Sequence, residues 1–273
     1  MKKFVSILIC MIALLFVGCE PNAPKVETGI GVFSVAEGRT VTFSKGNLQY
    51  TQSADTWSFA ENQWDYIGTD NVTGGSVYSD EYGDEKRGDA LADKIDLFDL
   101  STFTDWENGY SGSFIDWGTN QIGADAPNTW RTLTEDEWDY LLNNRPNASS
   151  LKSVAQVNGV NGLILLPDNW ICPASVTLKS GFHSSNGVDY YAAYQTFTAE
   201  QWSKLESAGA VFLPAAGIRY GSNVLSVRGY GIYWSATENL IYDVRYLYFG
   251  SDGAGMYYDY HNDGRAVRLV KDL

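Results

Sequence analysis

Short apolar runs separated by turn-forming residues restrict the fold of this chain more than any other feature. Each run is three to five residues long and is bounded by Gly, Asn, Asp or Pro, which is typical of short β-strands. The clearest runs are residues 41–44, 162–166, 211–213, 232–235, 246–249 and 266–270. They predict short, twisted antiparallel sheets.

Two segments carry the start signal of a helix. In both, a Thr precedes a Glu or Gln by three residues, and an apolar residue before the Thr can pack against a Trp four residues after it. The residues are Leu133, Thr134, Glu137 and Trp138 in the first segment and Phe197, Thr198, Gln201 and Trp202 in the second. The first helix is predicted to end near Asn143 and the second at Gly209, where a Gly can end a helix.

The segment from Gly68 to Gly112 is acidic, rich in Gly and almost without periodicity, which predicts long surface loops. Short strands, two capped helices and long loops together indicate an α+β fold. The length remaining after the N-terminal segment suits one large domain, and we predict a single domain at residues 29–273.

The N-terminus has the composition of a secretory signal. Lys2 and Lys3 precede an apolar run at residues 4–17, which is shorter than the 20 or so residues that span a bilayer. Residues 16–19 resemble the lipobox of bacterial lipoproteins, in which the Cys, here Cys19, takes the lipid. We therefore predict a signal peptide at residues 1–18, a tether at 19–28, and export to the outer membrane and cell surface. The membrane is contacted through the lipid anchor only.

Cysteine and charge restrict partners further. Cys10 lies in the signal and Cys19 takes the lipid, so Cys172 remains alone, no disulfide can form within the domain, and this Cys is expected to be a small buried hydrophobe. A formal net charge of -14 makes nucleic acid a poor partner.

Tyrosine is concentrated near the C-terminus, where nine of the eighteen tyrosines lie between Tyr220 and Tyr260 among Gly, Asp, Asn and Ser. Tyr with small polar residues is typical of recognition surfaces, because Tyr offers a large contact area and a hydroxyl while freezing only two torsions. Alternation predicts that Leu247 and Phe249 face the core while Tyr246, Tyr248 and Gly250 face outward.

Packing is the alternative explanation, because Tyr is also a good strand former. Four residues lie outside any clean alternation and are therefore predicted to be at the surface: Tyr257, Tyr258, Tyr260 and His261. A smaller cluster at Tyr190, Tyr191 and Tyr194 fits packing and binding equally well.

Many phrases of the sequence resemble those of a large family of lipoproteins from gut Bacteroidales. They are FSKGNLQY at residues 43–50, NQWDYIG at 62–68, WRTLT at 130–134, EWDYL at 137–141, LLPDNW at 165–170, VFLPAAG at 211–217, YWS at 233–235 and AVRLV at 266–270. That family is similar to C-type lectin-like domains, a group that includes formylglycine-generating enzymes and the variable proteins of diversity-generating retroelements. The resemblance covers nearly all of residues 40–273 and implies a C-type lectin-like fold.

In the retroelement proteins, outward-facing codons of the C-terminal segment are rewritten on a fixed frame of core residues. The positions that match such a frame are Tyr233, Trp234, Ser235, Leu247, Phe249, Arg265, Val267 and Arg268. The resemblance makes the intervening positions candidates for variation and for ligand binding. The predicted ligand-binding residues are Ile232, Asn239, Leu240, Tyr242, Asp243, Tyr246, Tyr248, Asp252, Met256, Tyr257, Tyr258, Tyr260, His261 and Asn262.

Catalysis is not indicated. Formylglycine-generating enzymes use a reactive cysteine pair, whereas the domain has only Cys172. The two histidines, His183 and His261, each lie in a polar loop segment, and no sequence spacing links either of them to a Ser and an Asp as in a catalytic triad. The acidic residues likewise include no pair that spacing singles out as a glycosidase site. We predict no catalytic residue and no cofactor.

Metal binding is not indicated either. The Glu-Pro-Asn motif of calcium-binding lectins occurs only at residues 20–22, inside the tether. The acidic residues of one loop do not match a helix-loop-helix calcium site and are better explained as a solvated loop: Asp80, Glu81, Asp84, Glu85 and Asp89. The leading hypothesis is a surface lipoprotein that binds a protein or glycan through its tyrosine-rich segment. A structural or adhesive envelope component is the alternative.

Overall fold

The computed structural model describes residues 31–67, 93–98, 114–220, 223–240, 243–259 and 263–273. Its strands are β1 Phe33–Ala36, β2 Arg39–Phe43, β3 Leu48–Thr51, β4 Thr56–Phe59, β5 Lys94–Ile95, β6 Leu97–Phe98, β7 Lys152–Val157, β8 Val160–Leu165, β9 Thr196–Phe197, β10 Val211–Pro214, β11 Ile218–Tyr220, β12 Asn223–Leu225, β13 Gly231–Leu240, β14 Asp243–Phe249, β15 Ala254–Asp259, β16 Asp263–Ala266 and β17 Val270–Asp272. Its helices are α1 Glu135–Asp139, α2 Tyr190–Tyr194 and α3 Ala199–Ser207, with 3-10 turns at Gln52–Ala54, Trp117–Thr119 and Ala148–Ser150.

The described strands form four small sheets, which together with the helices make a mixed α+β structure, as predicted. The largest has the strand order β12-β11-β16-β13-β14-β15, and β6 pairs with β16 off this path. A second sheet has the order β10-β8-β7-β9, and the two others are β1-β2-β17 and β4-β3-β5. Most neighbours are antiparallel, whereas β13 with β16 and β7 with β9 are parallel.

Both predicted helix starts are confirmed. The Thr134 hydroxyl accepts the Glu137 backbone N–H at 3.3 Å while the Glu137 carboxylate accepts the Thr134 N–H at 2.9 Å. Thr198 and Gln201 make the same reciprocal pair. The first helix continues from α1 as a π-helix over Tyr140–Asn144, and α3 ends just before Gly209, whose φ is 95°. In the described part of the chain, no helix has the length and apolar character that crossing a bilayer requires.

The region predicted as long loops contains two short strands where it is described. β5 pairs with β3, and β6 pairs with β16. Ile95, Leu97 and Phe98 are buried, so hydrophobic burial and sheet pairing form strands in a segment with little sequence periodicity. The rest of that region, including the acidic residues 80–89, lies outside the described residues.

Residues 266–270 are predicted as one strand, but the chain divides them between two sheets. β16 ends at Ala266, and β17 begins at Val270 on a different sheet. The segment between them is held by backbone bonds, because the carbonyls of Val267 and Leu269 accept N–H groups of residues 48 and 44 at 2.9 Å.

Cys172 is exposed, not buried as predicted. It follows Ile171, which is 82% exposed, in a loop that leaves the core after Leu166. The exposure of Cys172 therefore follows from its position in a surface loop and not from the usual preference of Cys for the core.

Candidate ligand-binding surface

The candidate site lies on β13, β14 and β15, at one side of the largest sheet. Tyr246 is paired with Trp234 of β13 and with Tyr257 of β15, so these three side chains share one face. On the same face, Tyr248 is paired with Gly255 of β15. Leu247 and Phe249 therefore point to the opposite face.

That opposite face is part of the protein core. Leu247 and Phe249 are fully buried, and the Phe249 ring stacks on Tyr233 with ring centroids 6.0 Å apart. Beneath Phe249, a methyl group on Gly231 would lie 2.0 Å from the ring, so only Gly allows this approach. The predicted division between Leu247 and Phe249 on one side and Tyr246 and Tyr248 on the other is confirmed, whereas Gly250, which was predicted to face outward with the tyrosines, is buried.

Four tyrosines form a contiguous aromatic strip on the outer face: Tyr230, Tyr246, Tyr248 and Tyr257, called the tyrosine surface below. Ring centroids are 5.0 Å apart between Tyr230 and Tyr248, 5.2 Å between Tyr248 and Tyr257, and 6.4 Å between Tyr246 and Tyr257. Tyr257 is 52% exposed, whereas Tyr230, Tyr246 and Tyr248 are half-buried. The rings support one another and still present area to solvent.

The phenol of Tyr248 is held in its neutral form. Burial raises the pKa of Tyr248 above its usual range, and neighbouring Tyr230, which hydrogen bonds to it, and Asp252 add to the shift. This hydroxyl therefore keeps its proton to a more alkaline pH than an ordinary Tyr, and in this form it can both donate and accept.

A buried arginine fixes the other end of the strip. The Arg265 guanidinium carbon lies 4.4 Å from the ring centroids of both Trp234 and Tyr246. Its Nη2 pairs with Asp263 at 3.2 Å and with Asp259 at 3.3 Å. Arg265 thereby ties the end of β15 to the start of β16 and supports the tyrosine surface from below.

A polar cluster lies at the Tyr230 end. The Asn186 amide donates to the Tyr230 hydroxyl at 3.1 Å. A methyl group on Gly250 would lie 2.8 Å from Asn186 Oδ1, 3.1 Å from Asp252 Oδ1 and 3.3 Å from the Tyr230 ring. The amide, the carboxylate and the aromatic ring therefore converge above the bare Cα of Gly250.

Hydrogen bonds between two chain segments hold this cluster in place. The buried Ser251 hydroxyl donates to the Ser185 carbonyl at 2.7 Å, and the His183 N–H donates to the Ser251 carbonyl at 2.7 Å. Within the turn, the Gly250 N–H donates to the Gly253 carbonyl at 2.9 Å. The loop at residues 183–187 is thus attached to the turn between β14 and β15.

Of the predicted ligand-binding residues, four are brought together here: Tyr246, Tyr248, Asp252 and Tyr257. Three others differ from the prediction. Ile232 is only 6% exposed, although it lies on the same face as its partner Tyr248, because it is on a central strand of the sheet. Met256 is half-buried and packs against the core. Tyr258 is at the surface, as predicted, with 63% of its area exposed, but it lies on the opposite face from Tyr257, where the Arg245 guanidinium carbon is 5.0 Å from its ring centroid.

The remaining predicted residues divide into two groups. Asn239, Leu240 and Asp243 lie at the adjoining ends of β13 and β14, where Leu240 is paired with Asp243 along the backbone. Tyr242, Tyr260, His261, Asn262 and the lipidation residue Cys19 lie outside the described residues.

Two residues of the site are missing from the sequence prediction. Extending the alternation of β13 back by one step would have found Tyr230, which stands two residues before Ile232. Asn186 is brought to the site by a contact between segments 66 residues apart, for which the sequence carries no local signal.

His183 packs within the tyrosine cluster at residues 190–194. His183 stacks on Tyr190 with ring centroids 5.0 Å apart, while Tyr191 is buried and donates to the Gly229 carbonyl at 2.8 Å, so the Tyr190–Tyr194 cluster contributes both to packing and to the surface. Within the described ranges, no group of three or more His, Cys, Asp or Glu side chains is arranged to hold a metal ion.

A separate cleft of about 390 Å³ lies in another part of the molecule, beside Phe43, Phe59 and Trp130. Some of its polar side chains are bonded to one another. The Trp130 indole donates to Asp125 at 2.9 Å, and the Gln63 amide donates to Glu206 at 2.8 Å.

Comparisons with known proteins found no matching family model, no similar curated protein and no similar solved structure.

Proposed function

We propose that this chain is an exported lipoprotein that binds a protein or glycan ligand through the tyrosine surface. The observation that carries the proposal is the contact of four tyrosine rings on the outer face of strands whose reverse face is core. Rings held in this way lose little further freedom on binding, and their hydroxyls give directional hydrogen bonds.

The buried tyrosines of the same chain support this interpretation. Tyr191 and Tyr233 are fully buried, and their hydroxyls donate to backbone carbonyls at 2.8 Å, as expected for packing residues. Tyr257 has half of its area in solvent, and its strand neighbours are also partly open. Packing alone does not require aromatic area to remain exposed in a row.

We further propose a C-type lectin-like fold in which a fixed frame supports a variable surface. In support of this, the frame positions named from the resemblance are all buried: Tyr233, Trp234, Ser235, Leu247, Phe249, Arg265, Val267 and Arg268. Sequencing the 3′ end of the gene across one population tests the second part. Changes concentrated at outward positions such as 246, 248 and 257 would support diversification, and uniform sequence would oppose it.

Anchoring through Cys19 is part of the proposal and has its own test. Labelled fatty acid should attach to the mature protein and should be lost in Cys19→Ala. Recovery of unlabelled, freely soluble protein from intact cells would contradict the anchor.

Binding is tested with the mature protein on panels of immobilised oligosaccharides and of cell-surface proteins. For any ligand found, replacing both Tyr248 and Tyr257 with Ala should weaken binding by roughly thirtyfold or more, because aromatic anchors dominate such surfaces. An unchanged affinity in a folded double variant would exclude the tyrosine surface as the binding site.

A further inference from the structure

The cleft beside Phe43, Phe59 and Trp130 is separate from the tyrosine surface, and the charged groups around it indicate a second ligand. We propose that this cleft binds a free amino acid with an aromatic or large aliphatic side chain, whose ammonium group pairs with Asp125 and whose carboxylate pairs with Lys45. The inference does not depend on the function proposed for the tyrosine surface.

The first argument is the size and lining of the cleft. Its volume of about 390 Å³ falls within the range of small-molecule sites, which is roughly 300 to 1,000 Å³. Four apolar side chains line it: Phe43, Phe59, Trp130 and Val211. Phe59 and Trp130 contact each other edge to face, with ring centroids 5.2 Å apart, and both are only half-buried. The cleft therefore suits a small molecule with an apolar body.

The second argument is that the walls are held in place by the fold. Gly31 and Gly209 both line the cleft, and a methyl group on Gly209 would lie 2.8 Å from the Gly31 Cα, so the two backbones are in close contact. The Phe43 ring packs edge to face on Phe33 with ring centroids 5.0 Å apart. Walls that are positioned before a ligand arrives reduce the ordering cost of binding.

The third argument is the charge behind the cleft. Arg268 is fully buried, and its Nη1 lies 3.3 Å from the carbonyl of Ser44, a residue that lines the cleft. Burial lowers the pKa of Arg268 to about 10, while Tyr233 and Glu206 oppose this shift. Gln63 connects the two charged groups, because its amide donates to Glu206 at 2.8 Å and its amide oxygen lies 3.5 Å from Arg268 Nη2. Glu206 therefore compensates a charge that is already inside the protein.

Lys45 and Asp125 are the charged groups that remain for a ligand. Lys45 is exposed, and among the described residues its ammonium group has neither an ion-pair partner nor a hydrogen-bond partner. Asp125 accepts the Trp130 indole N–H through Oδ2, and its Oδ1 has no donor in the described part of the chain.

One group of each sign beside an apolar wall matches a zwitterion that carries an apolar side chain. A simple amine would meet the like charge of Lys45, and a simple organic acid would meet the like charge of Asp125. An amino acid satisfies both groups with charge-assisted hydrogen bonds.

The test titrates the mature protein with phenylalanine and leucine, with their N-acetyl and amide derivatives, and with glycine. The N-acetyl derivatives lack the ammonium group, the amides lack the carboxylate, and glycine lacks the apolar side chain. At least one of the two amino acids should bind, and its two derivatives and glycine should each bind at least tenfold more weakly.

Two variants assign the charges to residues. Lys45→Gln should weaken binding of the amino acid by at least tenfold and should remove the preference for it over its amide. Asp125→Asn keeps an oxygen for the Trp130 indole, and it should instead remove the preference over the N-acetyl derivative. Lys94→Gln is the matched control and should bind like wild type, because Lys94 is exposed and lies opposite Thr51, away from the cleft.

Absence of binding for both amino acids would overturn the proposal, and so would equal affinity for an amino acid and its derivatives. Affinity that is unchanged in both Lys45→Gln and Asp125→Asn would show that the amino acid binds elsewhere. Replacing both Tyr248 and Tyr257 with Ala should leave amino-acid affinity unchanged. A loss in that double variant, with none in Lys45→Gln, would assign the ligand to the tyrosine surface and overturn the site in the cleft.

Discussion

The two faces of β14 differ in what each side chain does. Leu247 and Phe249 are fully buried against the core, whereas Tyr246 and Tyr248 on the reverse face retain contact with solvent. Along the last four positions of this strand, half-exposed and buried residues alternate, so neighbours in sequence face opposite sides of the sheet. Because Leu247 and Phe249 hold the strand against the core while Tyr246 and Tyr248 retain solvent contact, we expect substitutions to be tolerated better on the outer face than on the inner face.

The largest effect should come from the inner face. Phe249→Ala should lower the free energy of unfolding by about 3 to 5 kcal/mol, because it empties a tightly packed site against Tyr233 and Gly231. Leu247→Ala should cost roughly 2 to 5 kcal/mol for the same reason. Denaturant unfolding measures both, and a loss below 1 kcal/mol in each would mean that this face is not core.

Arg265 is an exception to the division between a buried inner face and an open outer face, since it lies on the outer face and is nevertheless fully buried. Arg265→Met should cost about 3 kcal/mol, near the lower limit for a broken buried ion pair, because Asp259 keeps 34% of its side chain exposed. It should also weaken ligand binding, because Tyr246 loses the group beneath it. Loss of stability with unchanged binding would show that Arg265 does not support the tyrosine surface.

Removing a helix N-cap should lower stability by a smaller amount than emptying the core. Beside α1, Glu135 pairs with Arg245 of β14 at 3.4 Å, and the Glu135 N–H donates to Thr237 of β13 at 2.9 Å. Thr134→Ala should cost about 0.5 to 2 kcal/mol and leave binding intact, and Thr198→Ala should cost a similar amount. Unchanged denaturation midpoints in both variants would contradict the capping boxes.

Local patterns predicted the parts of the fold that depend on neighbouring residues. A capping box is recognised in the sequence from two residues three positions apart, and the alternation around Leu247 and Phe249 shows which face of the strand is buried. Tyr258 marks the limit of prediction from local patterns. β15 runs from Ala254 to Asp259 and places Tyr257 and Tyr258 on opposite faces, but the sequence does not show where the pairing of β15 with β14 begins.

Long-range contacts could not be predicted. Asn186 and Ser185 join the site through bonds to residues more than 40 positions away. The division of residues 266–270 between two sheets likewise depends on which strands are available as partners, since the apolar pattern alone is that of one strand. Such features follow from the assembled fold, and no local propensity encodes them.

The most direct test of the account compares two adjacent tyrosines. Tyr257 and Tyr258 are 52% and 63% exposed, are identical in type, and differ in the face of β15 on which they lie. Both alanine variants should change stability by less than about 0.5 kcal/mol. Measured by titration against the same ligand, Tyr257→Ala should lose roughly tenfold or more in affinity while Tyr258→Ala stays within about twofold of wild type. Equal losses in the two variants, or a larger loss in Tyr258→Ala, would contradict the assignment of recognition to the outer face.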